Sequence, residues 1–346
     1  MKNIVVTGGL GFIGHHLVGK LIQETNEKYE ITIVDDLSNT NPNASLKIFG
    51  EEWQKYLGSD GVAQLSHLSP HGHRVTFVRE DIRNREKIQD TFERGKFDSC
   101  IHLAAKISVT ESVANPQSTI ESNVQGTANV FDACASIGVE KVVFASTGAV
   151  YGEPKILPIR EDHVLEPIAP YGASKVAGEM LLSSYAHCGK IRNGIALRFF
   201  NVYGQGQVSQ YAGVITSFME RLSKGLPPII YGDGQQTRDF VSVDDIANAI
   251  IVSARIQQIP GGYQNFNVAT GSSISIEELA HTMIRIYGFD GMKPIFSPER
   301  KGDIKAALVD VSKAEKILGF KASITPDSGL SQLIAQSIQT TEMHQK

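Results

Sequence analysis

Thr7-Gly8-Gly9-Leu10-Gly11-Phe12-Ile13-Gly14 follows a short apolar run, Ile4–Thr7, and opens a helical pattern over Phe12–Glu24. Glycines at 8, 11 and 14 permit a tight turn, a close approach of backbone to a pyrophosphate, and close helix–strand packing. The N–H groups and positive end of the helix then favour phosphate charge. A glycine triplet alone is weak evidence. Here it stands between strand and helix near the start of the chain, and an acidic pair, Asp35-Asp36, ends the next β-rich run. A carboxylate at that place accepts hydrogen bonds from the adenosine ribose hydroxyls and repels a 2′-phosphate, which selects NAD over NADP.

Working outward, Ile4–Thr7, Ile31–Asp35, Val75–Arg79, Cys100–Leu103, Lys141–Ala145 and Ile195–Phe199 read as six short strands, branched and nearly continuous in apolar character. Strands covered on both faces look like this. Helical stretches alternate with them at Phe12–Glu24, Arg85–Arg94, Ile120–Ile137 and Ala173–Ala186. That alternation implies right-handed crossovers and an α/β fold with a doubly wound parallel sheet. The last third is less regular, with Gly/Pro-rich turns at 225–228, 232–234 and 294–302. It suits a smaller region over the carboxyl ends of the sheet, where ligands bind in this architecture. Residues 50–73 form an insertion with Trp53, His67, His71 and His73, read as a surface helix and loop. The histidines lack nearby carboxylates or cysteines, so no metal site is expected there.

The 346 residues carry a net charge of −4, without the basic excess that nucleic-acid or membrane-surface partners require. An anionic substrate must therefore be held by local positive charge. Cys100, Cys134 and Cys188 show no ligand spacing and read as buried free thiols in a reducing compartment. No apolar run approaches the roughly 20 residues of a membrane span, and the start of the chain lacks a signal-peptide layout. The expected location is cytoplasmic.

Tyr171-Gly172-Ala173-Ser174-Lys175, preceded by Pro170, is a YxxxK pattern at the start of a helix. The spacing puts both side chains on one face, a turn apart. A phenol titrating near 10 is a poor base at neutral pH. A neighbouring ammonium and a positive nicotinamide would favour its phenolate. Upstream, Phe144-Ala145-Ser146-Thr147-Gly148-Ala149-Val150-Tyr151-Gly152 leaves a strand and turns.

With its GxxGxxG spacing, hydroxyl strand and YxxxK in this order, the chain resembles the extended short-chain dehydrogenase/reductase family over roughly residues 1–330, leaving out the insertion at 50–73. The resemblance implies an NAD-binding Rossmann fold and catalysis by Thr147, Tyr171 and Lys175. For the cofactor it implies contacts from Gly8, Gly11, Phe12, Ile13, Gly14, Asp35, Asp36, Ser38, Asn39, Asp81, Ile82, Leu103, Ala104, Ala105, Asn123 and Phe200, together with Tyr171 and Lys175. In the family, Asp81-Ile82 matches the adenine position and Asn123 a support of the active-site backbone.

Tyr231-Gly232-Asp233-Gly234-Gln235-Gln236-Thr237-Arg238-Asp239-Phe240 and Pro298-Glu299-Arg300-Lys301-Gly302-Asp303 look like the nucleotide-sugar loops of UDP-hexose epimerases. Arg238 and Arg300 could clamp a diphosphate bidentately, with Asp303 on the nucleotide ribose. Lys106, Ser146, Asn201, Val214 and Tyr231 complete the expected substrate contacts, with Thr147 and Tyr171. Dehydratases and decarboxylases of this family carry an Asp-Glu pair or a Glu before the position of Tyr151; here Gly148-Ala149 stand there. The resemblance thus implies NAD-dependent 4-epimerisation of a UDP-hexose through a 4-keto intermediate. A UDP-N-acetylhexosamine or UDP-uronate 4-epimerase, a 4-keto-sugar reductase, and a non-catalytic nucleotide sensor remain open; Lys106 is a departure that bears on the uronate alternative. The implied division is an NAD-binding part at 1–203, with 240–270 returning to it, a substrate-binding part at 204–239 and 271–330, and a tail at 331–346. The implied partner is a second copy of the chain, a homodimer formed through the helices at 120–137 and 173–186.

Overall fold

The computed structural model describes residues 2–40, 45, 48–50, 53, 64–207, 213–299 and 305–344. An eight-stranded sheet runs through the molecule in the order β12-β7-β6-β5-β1-β2-β4-β3. Its strands are β1 (Lys2–Thr7), β2 (Tyr29–Asp35), β3 (Gln64–Leu68), β4 (Arg74–Arg79), β5 (Ser99–His102), β6 (Lys141–Thr147), β7 (Asn193–Phe199) and β12 (Tyr263–Val268). All neighbours pair in parallel except β3, which is antiparallel to β4. The six strands expected from sequence are all present. The chain leaves β1 toward β2 and later returns to its other side as β5. Such a reversal opens a crevice at the carboxyl ends of the strands, where ligands bind.

Successive strand residues face opposite ways. Ile4 and Val6 of β1 join one apolar core with Leu17 and Val18 of α1 (Phe12–Leu21) and with Ile246 and Ile250 of a helix at Val243–Arg255. Val5 joins the other, with Ile88 and Phe92 of α2 (Arg85–Gly95) and Val130 and Phe131 of a helix at Thr127–Ile137. Both faces of the sheet are therefore covered, which accounts for its nearly continuous apolar strands.

Three elements differ from the sequence expectation. The helix expected over Ile120–Ile137 is composite: α3 (Val109–Ala114) and α4 (Pro116–Ile120) lead into a wide π turn at Glu121–Gly126, then α5 (Thr127–Ile137). A π turn adds a residue to the helical circuit and re-aims side chains. Here it directs Asn123, 1% exposed, into the protein. The helix carrying YxxxK, α6 (Pro170–His187), begins three residues early because Pro170 occupies its first turn, where a missing N–H costs nothing. The insertion contributes strand β3, and Phe49 and Trp53 pack on Phe77 at the sheet edge. His73 is buried, its ring between the Tyr29 amide (3.1 Å) and the Glu24 carbonyl (2.7 Å); His71 is exposed and its carbonyl takes the Lys28 ammonium. Of the cysteines, Cys100 and Cys134 are buried, but Cys188 is exposed because it caps α6 at the surface.

Beyond β7 the chain builds a second, smaller assembly. It comprises β8 (Asn201–Tyr203), α7 (Val214–Leu222), β9 (Ile229–Tyr231), β10 (Thr237–Arg238), β11 (Phe240–Ser242), β13 (Ile274–Ser275), α9 (Ile276–Ile286), β14 (Ile295–Ser297) and α10 (Pro326–His344), whereas α8 (Val243–Arg255) packs against α1 and the large sheet. Phe218, Leu222, Leu279, Met283 and Leu330 form its own core, while β12 leaves it to pair with β7 at the edge of the large sheet. Among the described residues no helix is long and apolar enough to cross a membrane.

Candidate active site

The glycine loop closes tightly on itself and on β5. A Cβ at Gly14 would stand 2.2 Å from the Gly8 carbonyl oxygen, and one at Gly8 would stand 2.6 Å from the Ala104 amide nitrogen. Gly8 also has φ +70°, a conformation that side chains rarely tolerate. α1 begins with neither a side-chain cap nor an acidic residue in its first turn. Its N–H donors and dipole are therefore left to an anion, which is what a pyrophosphate requires.

An open cleft runs over this turn. Its walls include Gly8, Gly11, Phe12, Ile13, Gly14, Asp35, Asp36, Ser38, Asn39, Asp81, Ile82, Leu103, Ala104 and Ala105, and at its far end Lys106, Ser146, Tyr171 and Lys175. At one end the Asp35 carboxylate is oriented by backbone donors, from Leu10 to Oδ2 at 3.0 Å and from Leu37 to Oδ1 at 2.9 Å. Burial raises its pKa, which those donors partly offset. Sequence reasoning missed Glu80, Arg83 and Ser122 on the same walls. The Arg83 guanidinium pairs with Asp81 and holds that carboxyl below the usual range. No spacing signal marks these residues: Glu80 and Arg83 are placed by how the chain leaves β4, and Ser122 by the π turn.

At the catalytic end, Tyr171 and Lys175 lie one turn apart on α6. Thr147, at the end of β6, is the one neighbour that acts to lower the Tyr171 phenol; its own hydroxyl accepts the Ala149 amide at 3.2 Å. Burial pushes the phenol up to about 12. The expected lowering by Lys175 is absent: the lysine amine donates to the Ala145 carbonyl at 2.9 Å and lies over the Phe144 ring. Burial lowers Lys175 itself to about 7, against which Glu179 acts. The protein's own residues thus keep the phenol protonated at neutral pH.

Three residues expected at the ligand face elsewhere. Ser146 lines the cleft, but its hydroxyl donates to Glu179 Oε1 at 2.5 Å. Asn123 lies behind the wall: Oδ1 accepts from the Lys106 amide at 2.7 Å, and Nδ2 donates to the Lys106 carbonyl (2.8 Å) and Ser174 Oγ (3.0 Å). This clamp fixes the Lys106 backbone against α6. Phe200 stacks on Tyr151 and covers Gly148, whereas Phe199 reaches the cleft. The Lys106 ammonium donates to Ser118 Oγ.

A second cleft adjoins the first across the end of β7, Phe199 lining one and Asn201 the other. It gathers Asn201, Val214, Tyr231 and Arg238 from four separate elements, with Gln207 and Gln236, which sequence reasoning missed. Val214 opens α7, whose N-terminus has no side-chain cap or acidic first turn, so the cleft combines a helix N-terminus with a guanidinium. Asn201 is held by its own donation to the Asp239 carbonyl at 3.1 Å. Arg300 and Asp303 lie outside the described residues. No group of three or more His, Cys, Asp or Glu among the described residues is arranged to hold a metal ion.

The family model described as "NAD dependent epimerase/dehydratase family" matches residues 4–269. The UDP-glucose 4-epimerase of Mycolicibacterium smegmatis is 34% identical over 337 residues, covering 95% of this chain and 96% of the relative. Among solved structures, the UDP-glucose 4-epimerase of Thermotoga maritima with UDP-glucose has a TM-score of 0.83 at 31% identity, covering 98% of this chain and 99% of that one. The UDP-N-acetylglucosamine 4-epimerase of Methanobrevibacter ruminantium, in complex with UDP-N-acetylmuramic acid, has a TM-score of 0.82 at 33% identity over the same shares.

Proposed function

Because the chain belongs to the NAD-dependent epimerase/dehydratase family, we propose that it binds NAD in the first cleft and epimerises a UDP-hexose at C4 through a 4-keto sugar. The observation that carries this reading is the placement of Tyr171 and Lys175 at the end of the cleft that runs over the glycine turn, with the Arg238 cleft next to it across the end of β7. Gly148 supports epimerisation over dehydration. A Cβ there would lie 2.8 Å from the Phe200 ring, so any side chain at this position requires that ring to move, and Gly148-Ala149 offer no acid. A single base then suffices. When bound, NAD supplies a reversible hydride acceptor and a positive charge beside the phenol.

Tyr171 takes the proton of the sugar 4-hydroxyl, and Thr147 hydrogen-bonds the same oxygen. Lys175 holds the cofactor ribose. Arg238 and the N-terminus of α7 grip the diphosphate, leaving the hexose free to present either face. Residues 1–203 with 240–270 form the cofactor part, and 204–239 with 271–330 the substrate part. We also assign a homodimer through α3–α6. These helices pack on one another and expose Val113, Ile120 and Met180, apolar surface that a second copy would cover.

The test is to incubate purified protein with UDP-galactose, UDP-N-acetylgalactosamine and UDP-galacturonate separately and resolve the products. Conversion to the 4-epimer is expected, reduced at least about a thousandfold by Tyr171→Phe with the fold intact. The sugar converted fastest names the substrate. No conversion of any of the three with NAD supplied would overturn the reading.

A further inference from the structure

Tyr171, Lys175 and Glu179 recur every fourth residue and so share one face of α6. Glu179 is fully buried and belongs to no step above. Its partner is Arg198 of β7, 1% exposed: Nε donates to Oε1 at 2.9 Å and Nη2 to Oε2 at 2.6 Å. Oε1 also accepts the Ser146 hydroxyl. Arg198 is anchored in turn. Its Nη1 donates to Tyr151 Oη at 2.7 Å and to the Glu161 carbonyl at 3.1 Å. Tyr151 Oη donates to Asn267 Oδ1 at 2.6 Å, and Asn267 Nδ2 bonds the Ile159 and Asp310 carbonyls.

A bidentate, doubly anchored ion pair is a costly device in a protein interior, and apolar residues of similar volume are often as stable there. Its placement is informative. It joins the residue before Thr147, on β6, to the residue one turn after Lys175, on α6. Those are the two elements whose relative position sets the placement of Thr147 against Tyr171.

We propose that Glu179 and Arg198 are a positioning pair, which fixes β6 against α6 through Ser146 and fixes the charge felt by Lys175. This rests on the epimerase reading for its kinetic consequence; the electrostatic one rests on the placement of the buried Glu179 one turn from Lys175 on α6. The titratable groups facing Lys175 are Tyr171 and Glu179 on its own helix and His102 on β5; the β6 residues against it, Phe144 and Ala145, are neutral. Glu179 is the one group that favours the ammonium. Its removal leaves the Arg198 cation uncompensated nearby.

Two variants test the pair. Glu179→Gln keeps the shape and removes the charge. The double variant Glu179→Gln/Arg198→Met leaves no charge unpaired, so it guards against simple unfolding. The first readout is the pH titration of the Lys175 amine, followed by NMR on 15N-lysine-labelled full-length protein. In Glu179→Gln the midpoint is expected to fall by roughly one pH unit; an unmoved midpoint overturns the electrostatic role. The second readout is steady-state epimerisation. In the folded double variant kcat is expected to fall about tenfold or more with KM within about twofold, as for a lost alignment rather than lost binding. A double variant of wild-type melting temperature and wild-type kcat makes the pair merely structural and overturns the proposal. Wild-type protein without epimerase activity would sink the functional reading instead, and the titration would still decide whether Glu179 acts on Lys175.

Discussion

At the scale of single residues, burial decides the chemistry. Tyr171 is pushed up to about 12 and Lys175 down to about 7 by the same loss of water. In the proposed mechanism Tyr171 therefore needs the positive charge of the bound nicotinamide beside it, which would link proton removal to cofactor binding. His102 shows the same force acting on stability. Its ring lies between the hydroxyls of Thr7 (2.6 Å) and Thr127 (2.9 Å), and burial lowers its pKa from 6.5 to about 3. The folded state holds it neutral while the unfolded chain protonates it below 6.5. Stability is thus full above pH 6.5 and is lost as pH falls toward 3. Between pH 7 and pH 5 this one group should remove roughly 2 kcal/mol of unfolding free energy. Urea titrations at the two pH values check this, and His102→Gln should flatten the difference. An unchanged pH dependence in that variant would assign the loss to other groups.

At the scale of elements, the glycine turn and the π turn are backbone devices with opposite visibility. Gly14→Ala should cost roughly 1–3 kcal/mol and abolish cofactor retention. The new Cβ meets backbone at Gly8 and Gly9, and no rotamer can relieve that. Gly19→Ala in the same helix is the control. It meets nothing within 4 Å and should stabilise by a few tenths of a kcal/mol up to about 1. Denaturation midpoints and the cofactor absorbance of the purified protein separate the two outcomes. The glycine turn was legible because strand, glycine spacing and helix are contiguous. The π turn was not. Residues 121–126 carry no pattern that distinguishes the wider π bonding from an ordinary helix, and what holds the turn is the Asn123 clamp on Lys106 and Ser174, 17 and 51 residues away.

At the scale of the whole molecule, the proposed function depends on two clefts meeting. The cofactor cleft is built at the switch point between β1, β2 and β5; the second is assembled from β8, α7, β9 and β10. The exposed Val113, Ile120 and Met180 belong to helices that hold the catalytic side of this junction. Sedimentation velocity should show a dimer, and Met180→Glu should shift it toward monomer. A wild-type monomer at micromolar concentration would remove the dimer assignment. The bridge between Ile159 and Val309, with Asn267 bonding the Ile159 and Asp310 carbonyls, ties the segment around residues 309–310 to the chain around residue 159.

The sequence by itself determined the alternation of strands and helices, the phosphate turn and the Tyr171–Lys175 pair. Each is written in residues a few positions apart, where period, glycine and proline act directly on the backbone. Only the tertiary structure decided where the polar side chains turn. Ser146 faces Glu179, 33 residues away, rather than open cleft. Tyr151 meets Asn267 across 116 residues, and Phe200 turns from the cleft to cover Gly148. Such partners are chosen by packing and by the cost of leaving a buried polar group unpaired, and no local pattern in the chain records that choice.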